Sequence, residues 1–188
     1  VTLRLSGGRK LRSPPGATAR PTASRVRLAV MNLLAAELPG CRWLDLCCGS
    51  GAMACEALQR GAADVIAVER DRRIAAVARA NLEAVLKGRP SAPQAPRATV
   101  VCDEVLRWLG RACEAPFDLI YADPPYAAGL HIPIAVAVHQ GNWLRPGGLL
   151  VWECASDAVP ELPAGWRLRD QRRYGGSTVV LLEEEGGR

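Results

Sequence analysis

The sequence predicts an α/β fold: a doubly wound, mostly parallel sheet of seven strands with one antiparallel strand, led by a short basic ribbon and a helix. Three observations carry that expectation. From Trp43 onward, short β-prone apolar runs alternate with helical patterns, as in a sheet whose strands are joined by crossover helices. A glycine-rich stretch, Cys47-Cys48-Gly49-Ser50-Gly51, separates the first such run from the first such helix. The last two runs meet at Gly175-Gly176, and strands joined so tightly must be antiparallel.

The elements follow in order. Val1, Leu3 and Leu5 alternate ahead of Gly7-Gly8, which suggests a hairpin or edge ribbon. Pro14, Pro15, Gly16 and Pro21 make the next stretch irregular. A helix is expected from Thr22, its N-cap, to Leu38, with Val26, Ala29, Val30, Leu33 and Leu34 on one face; Pro39-Gly40 stops it. Trp43 to Leu46 is the first strand, and Ala52 to Arg60 is a helix capped by Gly61. The second strand, Val65 to Val68, ends in Glu69. Asp71 to Lys87 is helical, with Ile74, Val77, Ala78, Leu82 and Val85 inward. A proline-rich surface loop leads to the third strand, Thr99 to Cys102, then to Asp103 and a short helix through Leu109. Phe117 to Ala122 is the fourth strand. Leu130 to His139 is helical, with Pro133 tolerated in its first turn. Trp143 to Gly148 is a turn before the fifth strand, Leu149 to Cys154; Asp157 to Pro163 is a short broken helix. Trp166 to Arg173 and Thr178 to Glu184 complete the sheet, and Glu183-Glu184-Glu185 reads as a solvated end.

The chain has 188 residues, 49% hydrophobic and 23% charged, which suits one soluble domain. The expected division is a basic arm or hairpin over residues 1–21 and a single domain over 22–188. No apolar run is long enough to span a membrane. The first 20 residues lack the apolar core of a signal peptide, so a cytoplasmic location is expected. Seven cysteines and two histidines, without a C-x-x-C spacing, point to reduced thiols and to no metal site. Residues 1–27 hold seven arginines and lysines and no acid, whereas the whole chain carries +5. The rest is therefore slightly acidic, and the N-terminal end is the candidate for contact with a polyanion.

Asp123-Pro124-Pro125-Tyr126 stands at the C-terminal edge of the fourth strand, where open α/β sheets bind ligands. Two prolines stiffen the backbone and leave carbonyls as acceptors. Asp123 accepts hydrogen bonds when ionised, and Tyr126 offers a ring face. Together they suit a planar group with an exocyclic amine, and Asp123, Pro124, Pro125 and Tyr126 are the candidate catalytic residues. At the other candidate half, Gly49, Ser50 and Gly51 form a G-x-G-x-x-A loop between strand and helix. Glu69 stands 20 residues after Gly49 at the next strand end, where an acid can take the hydroxyls of a ribose. Asp103 ends the third strand and could face an adenine amine. Asp45, at the start of the loop, would attract an ammonium and repel a pyrophosphate. Acids at three consecutive strand ends favour S-adenosylmethionine over a dinucleotide. The candidate cofactor-binding residues are Asp45, Cys47, Gly49, Ser50, Gly51, Glu69, Arg70, Asp103, Glu104 and Asp123. For Glu69 and Asp103 the competing reading is a helix N-cap.

These motifs resemble the class I S-adenosylmethionine-dependent methyltransferases. Within them the chain looks like the bacterial family that methylates N2 of a guanine in 16S ribosomal RNA, the RsmD type. The resemblance is carried by Leu5 to Leu11, Thr18 to Thr22 with Arg25-Val26-Arg27, and Leu44 through Gly51. It continues in Glu56-Ala57-Leu58, Arg60-Gly61-Ala62, Asp123 to Tyr126 with Gly129-Leu130, and Tyr174-Gly175-Gly176-Ser177. Arg20-Pro21-Thr22 is the discriminating signature. The family commonly has acids at the places held here by Ser24 and Leu28. The resemblance implies a Rossmann-like fold and direct methyl transfer to an amine. It also implies RNA contact by Arg9, Lys10, Arg20, Thr22 and Arg25. The expected partner is 16S rRNA or the assembling small ribosomal subunit, met by a monomer. Other amino methyltransferases acting on DNA adenine N6 or on a protein glutamine, and a non-catalytic RNA-binding scaffold, are the alternatives.

Overall fold

The computed structural model describes residues 3–14, 24–87 and 95–186. Among these residues the strands are β1 (Arg42–Leu46), β2 (Asp64–Glu69), β3 (Arg97–Cys102), β4 (Phe117–Ala122), β5 (Leu144–Ala155), β6 (Trp166–Tyr174) and β7 (Ser177–Glu184). The helices are α1 (Ser24–Leu33), α2 (Ala52–Gln59), α3 (Arg72–Leu86), α4 (Val105–Leu109) and α5 (His131–Gln140), with a 3-10 turn at Tyr126–Ala128. The strands form one sheet in the order β3-β2-β1-β4-β5-β7-β6. The first five are mutually parallel, and β7 alone is reversed, antiparallel to both β5 and β6.

Both faces of the sheet are covered. Trp43, Val65, Ala67, Leu119, Tyr121, Val151 and Val179 point to the side packed by α1, α2 and α3. Their neighbours Leu44, Leu46, Val68, Ile120, Trp152 and Val180 point to the side of α4 and α5. This alternation of two apolar sets is the pattern of a sheet buried on both faces. The strand order turns at β1: the chain fills one side with β2 and β3, then crosses to β4 on the other. Leu46 pairs with Ala122 across that switch point, so the loop after β1 and the Asp123 segment after β4 leave the sheet side by side.

Several expectations change. Asp157 to Pro163 is not helical, because Pro160 and Pro163 lack the N–H groups a turn of helix needs. Of the turn expected at Trp143 to Gly148, all but Trp143 lies inside β5. Phe117 pairs with Leu144 and Leu119 with Leu149, so Arg145 to Gly148 bulge out of the ladder. On α3, Ile74 and Val77 are only half-buried, while Ala75 and Asn81 are buried. Glu183 is not a solvated residue: it is buried on β7, where Arg169 and Arg167 hold its carboxyl below the usual range.

The N-terminal ribbon packs onto the domain. Leu5 and Leu11 donate to the carbonyls of Arg9 and Leu3, both at 2.9 Å, closing a hairpin whose Leu3, Leu5 and Leu11 enter the core. Beneath it lies a buried ion pair, Arg27 Nε to Glu56 Oε1 at 3.2 Å. Ser6 donates to the same carboxylate through its N–H (2.8 Å) and its hydroxyl (2.7 Å), and Arg27 also donates to the Arg4 carbonyl. Arg27 therefore spends its charge inside the protein, at 2% exposure, and does not add to the outward basic surface. Residues 15–23, which include Arg20 and Thr22, lie outside the described residues, as do 88–94.

Candidate active site

The glycine loop is shaped by its own backbone. Cys47 takes φ 59°, a conformation that costs an ordinary side chain about 1 kcal/mol or more. Gly51, at φ 74°, opens α2; a Cβ there would stand 3.2 Å from that of Ala78. The loop is then held from two sides. Gly49 donates to Glu69 Oε2 at 3.0 Å. Asn81 Nδ2 donates to the Ser50 carbonyl at 2.9 Å and to the Arg12 carbonyl at 3.0 Å, while its Oδ1 accepts from Arg12 N–H at 2.8 Å. Asn81 joins the ribbon to the glycine loop. Reading the sequence missed it, although a polar residue on the buried face of an amphipathic helix was the available signal.

Glu69 and Asp103 are not helix caps. The caps stand further on: Asp71 accepts from Arg73 and Ile74, and Glu104 from Leu106 and Arg107. Glu69 uses its second oxygen on the Asp71 N–H at 2.9 Å, which fixes the carboxylate beside the loop. Asp103 donates its backbone N–H to the Glu69 carbonyl at 3.1 Å, so the two strand ends adjoin. Its side chain is held by Arg107 and Arg111, and the Arg107 bond in particular lowers its pKa. Glu104 is thus a cap, and Arg70 is exposed at the rim.

Asp45 is 1% exposed and accepts from the Ala54 N–H at 3.0 Å. Burial pushes its pKa up to about 8; the Ala54 bond opposes this, and the charges of Asp123 and Glu69 add to it. Carboxylates from β1, from β2 and from the segment after β4 thus act on one another, and a positive charge entering among them would relieve the most buried one. Burial disfavours the thiolate form of the two loop cysteines: Cys47 is pushed up to about 12, first by burial, and Cys48 well above its ordinary value.

After β4, Asp123 is half-buried, Pro124 is buried, and Pro125 and Tyr126 are exposed. The Tyr126 hydroxyl lies 3.2 Å from Ser177 Oγ. Behind them, buried Tyr121 donates to Glu153 Oε2 at 2.7 Å, and His131 Nε2 meets the Glu153 carbonyl at 2.8 Å. Burial lowers the His131 pKa, against the Glu153 carbonyl bond, which raises it. Of the proposed RNA contacts, Arg9, Lys10 and Arg25 are exposed, and Arg9 Nη1 donates to the Ala84 carbonyl at 2.9 Å. Arg20 and Thr22 fall among the undescribed residues.

A sheet of this order, reversed only at β7 and carrying its acids at the strand ends of the switch point, defines a Rossmann-like methyltransferase. Comparison narrows the class. The family described as conserved hypothetical protein 95 matches residues 5–183. Ribosomal RNA small subunit methyltransferase D of Escherichia coli is 32% identical over 179 residues, covering 95% of this chain and 86% of that protein. The protein of the same name from Haemophilus influenzae is 30% identical over 169 residues, covering 89% and 84%. The solved structure of E. coli yhhF superposes with a TM-score of 0.82 at 30% identity, covering 98% of this chain and 99% of that one. The chain belongs to this family, that of the ribosomal RNA small subunit methyltransferases D.

Proposed function

We propose that the protein transfers a methyl group from S-adenosylmethionine to the exocyclic N2 amine of a guanine in 16S ribosomal RNA. The observation that carries this reading is the meeting of two sites at the β1–β4 switch point: the acid-lined glycine loop and the Asp123 to Tyr126 segment. The named relatives bring the RNA, since they are small-subunit rRNA methyltransferases.

The residues fit the donor. Asp45 and Glu69 bond to the Ala54 and Gly49 N–H groups on either side of the loop formed by Cys47, Gly49, Ser50 and Gly51. Asp103 and Glu104 follow at the adjoining strand end and Arg70 is exposed beside them. A cationic ligand would favour the ionised form of buried Asp45. When bound, S-adenosylmethionine supplies an electrophilic methyl on a sulfonium. Asp123 and the Pro124 carbonyl accept the two N–H bonds of the target amine. An aryl amine is a poor nucleophile because its lone pair is delocalised into the ring; two fixed acceptors favour a pyramidal nitrogen and stabilise the positive charge that develops there. Pro125 stiffens the segment, and Tyr126 stacks on the base once it has left its helix. No thiol is required. Arg9, Lys10, Arg20, Thr22 and Arg25 contact phosphates from the N-terminal segment and α1. The N-terminal 21 residues act as the RNA-docking part of a cytoplasmic monomer, and no metal takes part.

The deciding experiment is nucleoside mass mapping after incubation with unmodified small subunits and labelled cofactor. N2-methylguanosine is expected, whereas N6-methyladenosine would overturn the base assignment. Cofactor binding should also depend on pH through Asp45. Ionised Asp45 favours a cation, so affinity should rise by up to about tenfold per pH unit as pH approaches 8, then level off. In the ligand-free protein the sign is opposite. The folded pKa lies above the unfolded value of 3.8, so this group lowers stability as pH rises from there through about 8. Calorimetric titration from pH 6 to 9, with Asp45→Asn as comparison, checks this: the variant should lose the slope.

A further inference from the structure

The Tyr174-Gly175-Gly176-Ser177 segment has no part in the reaction described above, yet it stands at the site. Strand β6 is parallel to β5, so its end at Tyr174 and the start of β7 lie at the same sheet edge as Asp123. Gly175 takes φ 65° in the connecting turn. Ser156, just beyond β5, pins that turn: its N–H donates to the Gly176 carbonyl at 3.0 Å and its hydroxyl to the Gly175 carbonyl at 3.0 Å. The same hydroxyl lies 2.9 Å from Thr178 Oγ1, and Thr178 is 2% exposed. Arg173 Nε donates to the Gly175 carbonyl at 3.2 Å from the other strand. The turn is therefore held from both sides, and it presents one hydroxyl, Ser177 Oγ, to the Tyr126 hydroxyl at 3.2 Å.

The Ser177 hydroxyl gives Tyr126 an anchor. Its backbone belongs to a single 3-10 turn, Tyr126–Ala128, and its side chain is 38% exposed. The Ser177 contact fixes the hydroxyl end of the ring, and orienting the ring before the base arrives removes an ordering cost from the reaction. We propose that Ser177 is a positioning residue: it holds the Tyr126 ring in the orientation that receives the target base, making the β6–β7 turn a wall of the base site. This rests on the stacking role given to Tyr126.

The test is a double-mutant cycle on Ser177→Ala and Tyr126→Phe, both at the surface end of the site, with methyl transfer to unmodified small subunits and cofactor affinity measured for each. Each single variant should lower kcat by about three- to tenfold, the worth of one hydrogen bond, with cofactor affinity unchanged. The double variant should be no slower than either single one, and Ser177→Thr should restore kcat. Additive losses, or a wild-type kcat for Ser177→Ala while Tyr126→Ala is slow, would overturn the positioning role and leave stacking intact. A wild-type rate for Tyr126→Ala would overturn both.

Discussion

Asp123→Ala should lower kcat by about 10²- to 10³-fold, with little change in melting temperature. The magnitude is that of removing one fixed charge-stabilising partner from an active site. The fold should tolerate the variant. Asp123 is only half-buried and lies past the last residue of β4, so alanine there opens no core cavity. The same change removes one of the charges that raise the Asp45 pKa, which gives a second reading: the pH midpoint of cofactor binding should move down. Asp123→Asn separates hydrogen bonding from charge. An amide oxygen still accepts, so a partial loss of kcat is expected if acceptance alone matters. A loss as deep as that of alanine would assign the effect to charge. Single-turnover methyl transfer across the three proteins decides the question.

Arg27→Met should destabilise the fold by about 3–5 kcal/mol, because it leaves Glu56 charged and buried without its cation. For a chain of this size that corresponds to a fall in melting temperature of roughly 10 °C. Glu56 is 1% exposed, and Ser6 is its remaining partner in the ribbon. The damage should therefore concentrate at the N-terminal hairpin, visible as lost hydrogen-exchange protection at the Leu5 and Leu11 amides, both donors in that hairpin. Adding Glu56→Gln should recover much of the loss, since the uncompensated charge disappears. If Arg27→Met leaves the melting temperature unchanged, the pair is not what secures the ribbon. The consequence for function is spatial: the ribbon held by Glu56 is the same one that Asn81 ties to Ser50 in the glycine loop.

The sequence and the structure divide these results along physical lines. Strand positions, the antiparallel pairing of the last two strands and the strand-end acids were legible, because alternation, glycine turns and element order are local properties of the chain. The missed features were those in which a residue's partner lies far away. Arg27 looked like one more cation of a basic arm until folding brought Glu56, 29 residues on, against it. Asn81 gains its partners, Arg12 and Ser50, only when the ribbon and the glycine loop converge on it. Glu183 looked solvated until the arginines of β6 closed over it. The proline-broken stretch before Trp166 erred for another reason: a helical pattern of apolar residues cannot supply the N–H groups that proline removes.

What the sequence alone determined is the class of chemistry: acceptors and a ring after β4, acids and glycines after β1 and β2. Each is set by residue type and by position at a strand end. Only the tertiary structure decided how those parts bear on one another. It set Leu46 beside Ala122, raised the Asp45 pKa through burial, and brought Ser177 within reach of Tyr126 across 51 residues. Burial and distance belong to the packed sheet, and no local pattern encodes them.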